Sequence, residues 1–107
     1  MAIVRKGTSN WTVHPGEILR HEFLRPMKLS VYELAKRLHV PAPRLNDIVL
    51  QKRGITADTA VRLARFFGTS EHFWLALQSA YEVGQVKSEH RADIERITPL
   101  QHQPQTI

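Results

Sequence analysis

Two groups of side chains in this 107-residue sequence carry chemistry at a usable spacing. His14, Glu17 and His21 recur at i, i+3, i+7, roughly one helix face, with Glu22 beside them. Imidazoles and a carboxylate on one face can ligate a metal, and a bound metal would suit a small hydrolase. The second group is Arg44, Asn46 and Asp47, followed by Lys52 and Arg53. Arginine and asparagine read base edges through paired hydrogen bonds, while lysine and arginine neutralise phosphates. The first group has no second ligand cluster to complete it, and the chain has no cysteine to supply a thiolate or a disulfide. No nucleophile–base spacing and no glycine-rich phosphate loop is present. The expectation is therefore no metal, no cofactor and no catalysis.

The elements that must position the second group are helices. Pro15 suits a first helical position after His14, and Glu17 favours the positive helix end. Ile18, Leu19 and Phe23 give this helix an apolar stripe, and Pro26 stops it near Leu24 or Arg25. Ser30-Val31-Tyr32-Glu33 is a capping box, with Leu29 and Leu34 as its hydrophobic staple. This second helix buries Leu34, Ala35 and Leu38 and ends near His39, because Pro41 pushes Val40 out of the helical region. After the turn at His39-Val40-Pro41, Leu45, Ile48 and Val49 form one face of a short helix over 42–51. Thr56 caps a fourth helix with Ala60, Leu63, Ala64 and Phe67 inside, and Gly68 closes it. Ser70 caps a fifth over about 71–83, which Gly84 is expected to end. No strand and no repeat is evident.

Two short helices joined by a tight turn and flanked by others make a helix-turn-helix candidate in an all-α fold. In that motif the first helix braces across the DNA backbone, and the second sets its N-terminal residues against base edges in the major groove. The expected DNA-binding set is Ser30 and Val31 at the start of the brace, then Pro41, Ala42, Pro43, Arg44, Asn46 and Asp47, with Lys52 and Arg53 on phosphates. Pro41-Ala42-Pro43 brings no hydroxyl cap and no hydrogen-bonding side chain, so direct readout from that first turn is poor. Specificity falls to Arg44, Asn46, Asp47, methyl contacts from Ala42, and DNA shape.

The charge distribution agrees. The net charge is +5, but residues 1–53 carry +6 and residues 54–107 carry −1. A basic front suits a polyanion, and a near-neutral back suits protein contacts. Phe73, Trp74, Leu77 and Tyr81 crowd a face of the fifth helix that is broader than a small core needs, so part of it is expected at a dimer seam. No apolar run approaches the roughly 18 residues of a membrane span, and the start, MAIVRKGTSNWTVHPG, has no apolar core of a secretory signal. A cytoplasmic protein is expected. It divides into an arm over 1–13, a helix-turn-helix domain with its dimerisation helix over 14–84, and a polar tail over 85–107. The tail holds at most a short helix near 88–96.

The ordered motifs His14-Pro15-Gly16-Glu17-Ile18-Leu19, Leu34-Ala35, Asn46-Asp47-Ile48-Val49, Arg53-Gly54-Ile55-Thr56-Ala57-Asp58-Thr59-Ala60, Arg62-Leu63-Ala64 and Phe73-Trp74-Leu75-Ala76-Leu77-Gln78 resemble HigA-type (VapI-like) antitoxins. These are part of the wider phage-repressor-like XRE group. The resemblance covers about 14–84. It implies a five-helix domain that dimerises through its C-terminal helical region and binds double-stranded operator DNA in its own promoter. It also implies a partner toxin, an mRNA-cleaving ribonuclease of the HigB/RelE kind, and no enzymatic activity of its own. A repressor of the same group without a toxin is the alternative, and the metal-dependent hydrolase is a more distant one. The sequence departs from many relatives at two points: they carry glutamine near Val31 and serine or threonine at Pro41.

Overall fold

The computed structural model describes residues 13–101, and every regular element among them is a helix. The expected arm lies outside the described residues except for Val13, as does the tail beyond residue 101.

Helix α1 spans Pro15–Ile18. Its cap is the imidazole of His14, whose Nδ1 accepts the Gly16 N–H at 2.9 Å. The helix continues through Leu19–Leu24 as a wider π-helical segment, in which Arg25 N–H donates to Arg20 O at 3.0 Å. An α-helix turns five residues apart about 140° away from each other. The wider turn brings Leu19 and Leu24 to the same buried side.

Helix α2 (Val31–Leu38) starts at the expected cap, with Ser30 Oγ accepting the Glu33 N–H at 3.0 Å, while the return bond of the expected capping box, from the Ser30 N–H to the Glu33 side chain, is not formed. It stops at His39, which is left-handed at φ 60°, and Val40 N–H returns to Ala35 O at 3.1 Å. That bond closes the C-terminal turn and aims the chain into α3 (Ala42–Val49). Helix α4 (Ala57–Phe67) is capped by Thr56 and ended by Gly68 at φ 78°. Ser70 caps α5, whose Phe73 N–H donates to Ser70 Oγ at 3.0 Å.

Helix α5 runs Glu71–Glu89, which corrects the expected stop at Gly84. A glycine ends a helix by turning left-handed, and among the described glycines only Gly68 does so. Within a helix it costs only about 1 kcal/mol, and the following Gln85 ties back to Tyr81 Oη at 3.0 Å. A short α6 (Arg91–Glu95) follows, so the first part of the expected tail is helical.

The core is one cluster. Leu34, Ala35 and Leu38 of α2 meet Leu45 and Ile48 of α3, Ala60, Leu63 and Ala64 of α4, and Trp74 of α5. Each fully buried leucine or isoleucine contributes about 1.5–3 kcal/mol. The α1 backbone lies directly on α3: a Cβ on Gly16 would stand 1.8 Å from Ile48 O. Only a residue without a side chain permits that approach.

Candidate nucleic-acid interface

Helices α2 and α3 enclose the turn at His39-Val40-Pro41, and their facing sides are closed by Ala35, Leu38, Leu45 and Ile48. The outward side of α3 carries Pro43 and Asn46, with Asp47 half-buried beside them. Pro41 opens α3 with no side-chain cap, and Ala42 is half-buried against the core. The featureless first turn expected from Pro41-Ala42-Pro43 is thus what the helix presents. Leu50, exposed just past α3, is an apolar side chain that the inward periodicity of Leu45, Ile48 and Val49 gave no reason to single out.

The expected basic residues divide. Arg44 turns toward α4, where its Nη1 donates to Asp58 Oδ2 at 2.6 Å and lies 3.5 Å from Thr59 Oγ1. Arg53 faces Asp47 at 3.8 Å. Lys52 is exposed with no carboxylate partner among the described residues. Its backbone N–H donates to Asp47 O at 2.8 Å, and Gln51 before it is left-handed at φ 64°, so the loop is bent back onto the end of α3.

Two supports went unrecognised in the sequence. Gln78 of α5 accepts the Ile55 N–H on Oε1 at 2.7 Å and fills the space where a Gly54 side chain would stand. It therefore props the loop that carries Lys52 and Arg53. The available signal was an amide beside the apolar stripe of α5, with a glycine opposite it in the fold. Arg62 of α4 donates from Nη1 to Leu38 O at 2.8 Å, tying α4 to the last turn of α2. A second basic flank was missed as well. Arg20, Arg25 and Lys28 line a groove of about 440 Å³ with Ser30 and Val31, beside the start of α2. They precede the motif in sequence, which gave no reason to group them with it.

Asp58 accepts both Arg44 and Arg62, the latter at 3.0 Å from its Nε. These hydrogen bonds, Arg44's first, hold its carboxyl below the ordinary carboxylate range. His14 is 3 % exposed, and its ring meets Tyr81 edge-on at 4.8 Å between centroids. Burial depresses its pKa, against a weaker opposing pull from Glu17. His21 is exposed, 3.2 Å from Arg25 Nη1, and no three potential ligands converge on one point among the described residues.

The expected seam residues also divide. Trp74 is a correction: it is fully buried, its Nε1 donates to Thr69 Oγ1 at 2.7 Å, and its ring meets a tilted Phe23 at 5.0 Å and Phe73 edge-on at 4.9 Å. It has no surface left for a partner. Leu77 packs against the core, Tyr81 is half-buried on His14, and Phe73 retains an exposed edge. Beyond Tyr81 further apolar residues are exposed: Val83 and Val86 on α5, Ile94 on α6, then Ile97 and Leu100.

A five-helix core around a helix-turn-helix with basic flanks is the architecture of the helix-turn-helix DNA-binding class. The helix-turn-helix family model HTH_3 matches residues 21–74, and the chain belongs to this family. It is 51% identical over 88 residues to virulence-associated protein I of Dichelobacter nodosus, covering 82% of this chain and 81% of that protein. A Pseudomonas aeruginosa protein solved with its 18-base-pair operator DNA superposes with TM-score 0.83 at 48% identity, over 85% of this chain and 97% of that one. The Pseudomonas aeruginosa antitoxin HigA, solved with the higBA promoter, superposes at 0.82 and 47% identity, over 85% of this chain and all of that one. No helix among the described residues is long and apolar enough to cross a membrane.

Proposed function

We propose that this chain is the antitoxin of a toxin–antitoxin pair and a repressor that binds operator DNA. The observation that carries the reading is the match, along most of both chains, to an antitoxin seated on promoter DNA. The same motif stands fully assembled here. In this reading α3 enters the major groove, with Pro43, Asn46, Asp47 and Leu50 toward base edges. Ser30 and Val31, with Arg20, Arg25 and Lys28, follow the phosphates on one side, and Lys52 does so on the other.

Two copies, joined through the exposed face of α5 and α6, would set two reading helices on half-sites about 34 Å apart. The protein acts in the cytoplasm, where its operator is, and its second partner is a small mRNA-cleaving ribonuclease. No catalytic role is assigned. The hydrolase alternative loses His14 as a ready ligand, because its Nδ1 already caps α1. A repressor without a toxin remains the alternative to test. Co-expression with the neighbouring reading frame separates the two. The antitoxin reading expects a stable complex and rescue of growth from the neighbour's toxicity. A harmless neighbour that does not co-purify would leave a repressor alone.

A further inference from the structure

Arg44 is the single cation on the reading helix α3. A free guanidinium there would have two uses, a guanine edge or any nearby phosphate. The phosphate use rewards every sequence alike. In this protein Arg44 lies against Asp58, an exposed carboxylate that a second guanidinium also holds. Asp58 sits in the first turn of α4 and also accepts Arg62, whose other end is fixed on the carbonyl of Leu38. The acceptor is thus anchored to the very turn that orients the reading helix. The groove at this place is lined by Arg44, Arg53, Gly54, Thr56, Asp58 and Thr59.

We propose that Asp58 is a specificity-determining residue, which holds Arg44 off the DNA and so suppresses binding to sequences other than the operator. The proposal rests on the DNA-binding reading. Arg44 becomes a strut between α3 and α4, and base recognition passes to Asn46 and the apolar Pro43 and Leu50. Arg62 is the positioning residue that fixes the carboxylate.

The test is a double-mutant cycle on the full chain, with affinity for operator DNA and for a scrambled duplex measured across salt concentration. Asp58→Ala is expected to tighten binding to the scrambled duplex, by roughly tenfold at 50 mM salt, and to steepen its salt slope by about 0.9, as one added phosphate contact requires. Adding Arg44→Ala to that variant should abolish the gain. Asp58→Asn keeps an acceptor oxygen without the charge. It should move the same way by less, and it carries the test if the alanine variant melts near room temperature.

A gain that persists in the double variant would mean that Asp58 merely repels phosphate, and would overturn the proposal. So would unchanged or weaker scrambled-duplex binding in folded single variants. Loss of base discrimination in Arg44→Ala alone would also overturn it, since Arg44 would then be a reader. If the unaltered chain binds neither duplex, the DNA-binding reading itself fails, which is a separate and recognisable result.

Discussion

His14 shows how much one residue can carry. Its position before Pro15 marks it as a helix start, and its spacing to Glu17 and His21 also suggests a ligand set. The fold gives it the first role: it is buried, caps α1 through Nδ1 and packs on Tyr81 of α5. To accept a hydrogen bond at Nδ1 the ring must be neutral there. Its pKa is depressed by burial from an ordinary value near 6.5. The unfolded chain therefore binds the proton more readily. The stabilisation is complete above pH 6.5 and is lost as pH falls through the lower, folded value. Urea melts from pH 7.5 to pH 5 are expected to show falling stability in the unaltered chain and a flatter profile in His14→Asn. Equal profiles would mean that another group governs the acid side.

The elements were legible where local chemistry decides and illegible where tertiary contact does. Ser30, Thr56 and Ser70 cap the helices they precede, because a side-chain acceptor beside free N–H groups acts whatever surrounds it. The π-helical turn was not legible, since it follows from burying Leu19 and Leu24 together. The continuation of α5 through Gly84 was hidden because a glycine near the end of an apolar stripe reads as a stop. Within the candidate site, the existence of α3 could be read from spacing. The pairing of Arg44 with Asp58, fourteen residues away, could not. The same holds for Gln78, which supports the loop of Lys52 and Arg53 from another helix. Gln78→Ala leaves the Ile55 N–H without its partner. It is expected to cost about 1–3 kcal/mol in urea melts and to weaken DNA binding through a loosened loop. An unaltered melt would show that the Ile55 N–H finds another acceptor.

At the scale of the molecule the net charge is uneven, +6 over residues 1–53 and −1 over residues 54–107. The helix-turn-helix and both basic flanks lie in the first half of the chain, and the apolar residues still exposed on α5 and α6 lie at the other end of the sequence. Trp74 belongs to the core, so Trp74→Ala is expected to cost about 3–5 kcal/mol and says nothing of a seam. Val86, half exposed on α5, is the cleaner probe. Val86→Glu should lower the dimer population in sedimentation and weaken operator binding while the helical circular dichroism stays. A dimer that persists at micromolar concentration would move the seam elsewhere. The central claim is that the α2–α3 face and its basic flanks grip DNA, and Lys52 tests it most directly, being exposed and without a carboxylate partner among the described residues. The measurement is operator affinity against salt concentration for the unaltered chain and for Lys52→Ala. The account predicts weaker binding of Lys52→Ala on every sequence tried and a salt slope shallower by about 0.9. An unchanged affinity and slope would contradict it.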